Sequence, residues 1–197
     1  GHASGITDSG TVTVGGNLSA TTDANSGVID LGTAAVTGTV ALTTNGSGNA
    51  IVDNGTLNLD LAASNVGGNL TVTSGAAAGI TDSATVTVGG NFTATTDANS
   101  GVINMGTMAV DGSFTLAPNS TGAVTIVNDA GLTLAASTMG GTFSGTATTG
   151  NITDSGALAI TGATTLVTSA NDATIVLNTT TNAFTGAVTI TTNDSSG

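Results

Sequence analysis

Lysine and arginine are absent from the 197 residues, so the 12 aspartates leave a formal charge of −12 with no cationic side chain to offset it. Such a chain cannot build the positive surface that phosphate backbones require, so no nucleic-acid binding is expected. The same charge argues against docking on anionic membranes. No apolar run approaches the ~18–20 residues that span a bilayer, so no membrane insertion is expected either. Cysteine is missing too, which removes disulfides and thiol chemistry and leaves the redox compartment unreadable.

Glutamate, tryptophan and tyrosine are also absent, and the only histidine is His2. General acid–base catalysis near neutral pH usually draws on histidine, lysine or a perturbed carboxylate. Paired aspartates alone could in principle cleave a glycoside. Here no aromatic platform for a sugar accompanies them, and they recur with a repeat instead of forming one cluster. The chain is therefore read as non-catalytic, with no catalytic or cofactor-binding residue. With no lysine or arginine, trypsin-like proteases also have no cleavage point, although Met105, Met108 and Met139 remain oxidisable.

What is present is small and repetitive. Threonine occupies 42 positions and glycine 30, and 39% of residues are hydrophobic, which suits a folded chain. Residues 1–5 look like an expression scar and lead-in, and residues 6–197 read as a single domain. Ile6–Thr33 and Ile80–Thr107 match at 23 of 28 positions with an offset of 74 residues, and a third copy starts at Ile152. The long repeats are thus 6–79, 80–151 and a partial 152–197.

Each long repeat divides into units of 22–29 residues opening at Ile6, Val28, Ile51, Ile80, Val102, Ile126, Ile152 and Ile175. Inside a unit the polar–apolar period is two, as in Thr11-Val12-Thr13-Val14, and Gly15-Gly16 then turns the chain. Alternation bounded by turn residues marks short, half-buried strands. Three apolar columns emerge when units are stacked. One runs Leu18, Val40, Leu70, Phe92, Phe114, Phe143, Thr164, Val188. The expected fold is all-β: a parallel β-helix (β-solenoid), right-handed, with about eight coils and three short strands per coil. A β-sandwich would not require in-register identity at this spacing.

Two surface features stand out. Two residues after the unit openings come Asp8, Asp30, Asp53, Asp82, Asn104, Asn128 and Asp154. Stacked in register, these carboxylates would lie about 5 Å apart. They read either as corner caps accepting backbone N–H bonds or as a calcium ladder. The second feature is a two-file grid holding Thr71, Thr93 and Thr115 in one file and Thr21, Thr43, Thr73 and Thr95 in the other. It reads either as strand-supporting side chains or as a face similar to the Thr-x-Thr faces of ice-binding β-solenoids.

Residues 6–22 (ITDSGTVTVGGNLSATT), 152–169 (ITDSGALAITGATTLVTS) and 182–192 (NAFTGAVTITT) resemble the β-strand repeats of filamentous-haemagglutinin-like and autotransporter-type bacterial surface exoproteins. The resemblance implies a right-handed parallel β-helix, an extracellular or cell-surface location, and a stalk whose partners are neighbouring repeats of one long protein, with surfaces, glycans or ice as further partners. The open ends of such a rod suggest a monomer that tends to stack head to tail. Asp194 and the Gly/Ser tail would oppose stacking, and salt would relieve the charge and raise stability.

Overall fold

The computed structural model describes His2 and residues 4–193. Asp194 and the tail after it, with Gly1 and Ala3 of the lead-in, lie outside the described residues. Strand and corner alternate throughout, and among the described residues there is no helix. The first solenoid turn is β1 (Ile6–Thr7), β2 (Val12–Val14) and β3 (Leu18–Thr21). The second is β4 (Ile29–Leu31), β5 (Ala34–Val36) and β6 (Thr39–Thr43). The third is β7 (Ala50–Asp53), β8 (Leu59–Leu61) and β9 (Ser64–Val66), and the fourth β10 (Leu70–Ser74), β11 (Ile80–Asp82) and β12 (Val86–Val88). The fifth and sixth have two longer strands each: β13 (Phe92–Thr96) with β14 (Ile103–Val110), and β15 (Ser113–Ala117) with β16 (Val124–Asn128).

Three strands return in the seventh turn, β17 (Leu132–Leu134), β18 (Ser137–Met139) and β19 (Phe143–Ala147). The eighth is β20 (Ile152–Asp154), β21 (Leu158–Ile160) and β22 (Thr164–Asn171). The ninth is β23 (Ile175–Val176), β24 (Ala183–Phe184) and β25 (Val188–Asn193). All pairings are parallel and join each turn to the next. The fold is a β-solenoid of nine turns, one more than the unit count suggests.

One nine-stranded sheet runs β1-β4-β7-β10-β13-β15-β17-β20-β23, and an 11-stranded sheet holds β3, β6, β8, β9, β11, β12, β14, β16, β19, β22 and β25. Their inward residues form one continuous core from Ala20 to Leu166. Phe92 and Phe114 stack within it, edge to face at 5.8 Å. Thr, Val and Ile suit these strands because their branched side chains pack along a pleated surface. The step between paired residues ranges only from 19 (Val124 to Phe143) to 24 (Thr164 to Val188).

That narrow range corrects the reading of 29-residue coils. Residues 51–79 hold more than one turn, since Ala50 already pairs with Leu70. The cause is a half-turn phase. Ile6 and Ile152 lie seven turns apart in the nine-stranded sheet, whereas Ile80 lies between Leu59 and Ile103 in the 11-stranded sheet. One long repeat therefore spans three and a half turns, and successive repeats present the same sequence on opposite faces, as if related by a two-fold screw axis. The column expected from Leu18 to Val188 is accordingly two stacks. Leu70, Phe92 and Phe114 belong to the nine-stranded sheet. Leu18, Val40, Phe143, Thr164 and Val188 belong to the other.

The narrow edges alternate in the same rhythm. On one edge, between a strand of the nine-stranded sheet and the next of the other, lie β2–β5 and later β18–β21–β24. On the opposite edge β9, β12 and the second half of β14 follow one another. Where one edge carries a strand, the other makes a tight corner, so the turn length stays nearly constant. The corners repeat too: Gly5 and Gly79 take φ of +62° and +64°, and a Cβ on either would overlap the carbonyl of Val28 or Val102. Only glycine fits that approach.

Candidate functional site

The aspartates of the expected ladder do not stack. Asp30 stands outward in β4 between Thr7 and Ile51, Asp53 pairs with Thr73, and Asp82 pairs with Leu61 on the other sheet. No two of Asp8, Asp30, Asp53 and Asp82 occupy paired positions, because the half-turn phase separates them. Among the described residues no group of three or more His, Cys, Asp or Glu converges as metal ligands.

Three aspartates instead fasten one turn to the next. Asp8 accepts hydrogen bonds from the Thr33 N–H (2.8 Å) and hydroxyl (2.9 Å). Its equivalent Asp82 accepts from the Gly106 and Thr107 N–H groups (2.8 and 2.6 Å) and the Thr107 hydroxyl (2.7 Å). Asp154 accepts from the Asn178 and Thr179 N–H groups and from the Asn182 amide (2.6 Å). Burial opposes ionisation of Asp154, but the bonds from Asn182, Thr179 and Asn178 outweigh it and hold the carboxyl below its ordinary value. Asp53 closes its own corner by accepting from the Gly55 N–H (2.9 Å).

Threonines of the expected grid do face outward, on two sheets instead of one. Thr71, Thr93 and Thr115 form one file on the nine-stranded sheet, beside Asp53, Thr73 and Thr95. Thr21 and Thr43 pair on the 11-stranded sheet. Farther along that sheet a longer file runs Thr39, Asp60, Thr81, Asn104, Thr125, Ser144, Thr165, Thr189.

Asparagine does work that the sequence reading gave to aspartate. Asn54 and Asn128 are both 0% exposed. The Asn54 side chain accepts from the Val36 N–H (2.7 Å) and donates to the Val36 and Asn58 carbonyls. Asn128 repeats this with Val110 and Gly131. Each amide thus replaces a strand residue where an edge column ends. The signal was legible as Val-Asp-Asn-Gly-Thr-Leu and Val-Asn-Asp-Ala-Gly-Leu, 75 residues apart at their first position and 74 at the key asparagine. At the corners, Asn49 accepts from the Asn69 N–H, Asn69 from Asn91, and Asn91 from Ser113, making an amide ladder.

Shortening the edge at Asn54 and Asn128 leaves two shallow grooves. One, about 330 Å³, is lined by Thr11, Gly32, Thr33, Asp53 and Leu57 among others. The other, about 300 Å³, is lined by Thr85, Gly106, Thr107, Val127 and Asp129 among others. Thr11, Gly32 and Thr33 correspond to Thr85, Gly106 and Thr107 one long repeat on. The grooves are a by-product of the repeat, and each presents a single carboxylate beside threonine hydroxyls.

No curated protein and no solved structure matches the chain. A family model described as repeats of unknown function (DUF5649) matches residues 47–106 and 121–191. The two matches begin 74 residues apart, at equivalent points of the structural repeat. Together they cover well over half of the sequence, and the chain belongs to that family of repeats.

Proposed function

We propose that this chain is a non-catalytic stalk module of a bacterial cell-surface or secreted giant protein, which spaces or projects other domains or builds a fibre. The observation that carries the reading is the half-turn alternation of the long repeat about a continuous core. Each added repeat lengthens the rod by about three and a half turns, roughly 17 Å at ~4.8 Å per turn, without widening it. Its polar side chains are engaged in joining turns: Asp8, Asp82 and Asp154 to the next corner, Asn54 and Asn128 to a strand end. The likeness of residues 6–22 and 152–169 to bacterial exoprotein repeats supports the surface location.

The test is reach. A binding domain fused beyond one, two or three copies of the long repeat and displayed on a cell should engage targets at distances that rise with copy number. Reach that stays constant would overturn the stalk reading.

A second reading, ice binding, is favoured by the outward Thr71–Thr73 and Thr93–Thr95 pairs. Ice shaping that disappears in Thr73→Leu and Thr95→Leu would establish it. A calcium-stiffened rod requires carboxylates to exchange the backbone N–H bonds they now accept for metal, and a melting temperature raised by calcium would show it.

A further inference from the structure

We infer that the two ends of the solenoid are docking surfaces for each other, so that separate copies of this chain join head to tail into an unclosed filament. The inference goes beyond the stalk reading and stands without it. The repeat supplies an internal control, because the same sequence positions occur at an end and in the interior. Ile6, Val12, Val14 and Leu18 of the first turn are half-buried, whereas their equivalents Ile80, Val86, Val88 and Phe92 are fully buried. At the other end Val188 is 42% and Ile190 54% exposed, whereas their equivalents Phe114 and Leu116 are 0% exposed. What each end lacks is one neighbouring turn.

The ends also match column by column. β1 and β23 belong to the nine-stranded sheet, and β3 and β25 to the 11-stranded sheet. β2 and β24 both lie on the edge that links the first sheet to the second. A second copy placed along the axis sets β1 on β23, β2 on β24 and β3 on β25, all parallel. Ile6 then covers Ile175, Leu18 covers Val188, and Ala20 covers Ile190. The contact is the one every turn already makes with the next, continued between molecules. It joins two different surfaces and does not close on itself, which is the condition for a filament. The open ladders supply backbone hydrogen bonds and the apolar ends supply burial. With a net charge of −12 and no cation, copies repel at low salt, so association rises with ionic strength.

The chain has no cysteine, so crosslinks can be placed at will. In the stack Ser19 of one copy lies beside Thr189 of the next, at the parallel-strand spacing of about 4.8 Å, within the Cα range of a disulfide. A chain carrying both Ser19→Cys and Thr189→Cys should give a ladder of disulfide-linked oligomers under oxidation, longer at higher salt and protein concentration. Either single variant should stop at a dimer. A double variant that stays monomeric, or stops at the same dimer, overturns the inference. As a second arm, Val188→Asp with Ile190→Asp alters positions already exposed. It should sediment as a monomer at high salt with little change in melting, while the parent chain sediments as larger species. A parent chain that is monomeric in high salt at millimolar concentration also overturns it.

Discussion

Ile6 and Ile80 open near-identical sequences, yet Ile6 pairs with Ile29 in one sheet and Ile80 with Leu59 and Ile103 in the other. Local structure follows the sequence, since both corners use a left-handed glycine and both aspartates two residues on bind a threonine of the next turn. Position about the axis follows the sum of turn lengths. A repeat worth three and a half turns must alternate faces.

The first prediction concerns that sum. Deleting residues 80–151 joins two equivalent positions, Gly79 to Ile152, with the phase preserved. The shortened chain should melt cooperatively with a β-type circular dichroism spectrum. Deleting residues 28–50 instead brings an edge strand against a tight corner and should leave a broad, weakly cooperative melt.

Asn54 and Asn128 should be the least replaceable polar residues. Asn128→Ala strands the Val110 N–H and the Val110 and Gly131 carbonyls inside the fold, and should cost about 2–4 kcal/mol in denaturant titration. A loss below about 0.5 kcal/mol would mean that water replaces the amide.

Thr164 and Thr168 give the opposite sign. Both hydroxyls are buried without a hydrogen-bond partner. The equivalent Thr96 hydroxyl donates to the Gly101 carbonyl at 2.8 Å, a partner that the corner after Thr168 does not supply. Thr164→Val keeps the shape and removes the desolvation cost, so it should stabilise by about 1 kcal/mol. A melting temperature lower than the parent's would contradict this.

Asp154 sets an acid limit. Its carboxyl lies below the ordinary value in the fold, so its contribution is present above the unfolded pKa and is lost as pH falls through the folded one. Stability should therefore drop below about pH 4. Asp154→Asn should lose about 1–2 kcal/mol at neutral pH and show a shallower acid decline. An unchanged decline would assign acid sensitivity elsewhere.

Much of this was legible in the sequence. Period-two strands, repeat spacing and an apolar core follow from alternation such as Thr11-Val12-Thr13-Val14, and they require a parallel solenoid because no unit buries its apolar face alone. The phase was not legible, because a motif reads the same on either face, and aligning motifs then stacks residues that lie on opposite sides. The aspartate ladder failed for this reason, and the single threonine grid became two. Asn128 was counted among the ladder residues because its spacing fits, although its amide serves β14 instead.

The alternation of faces can be measured with paired spin labels on cysteines introduced at outward threonines. Thr81 and Thr125 lie two ladder steps apart on one face, so labels there should couple strongly at about 10 Å. Labels at Thr7 and Thr81 should show no such broadening, since these residues occupy opposite faces. Strong coupling between Thr7 and Thr81, as a same-face stack about three turns apart would give at ~14 Å, would contradict the half-turn phase.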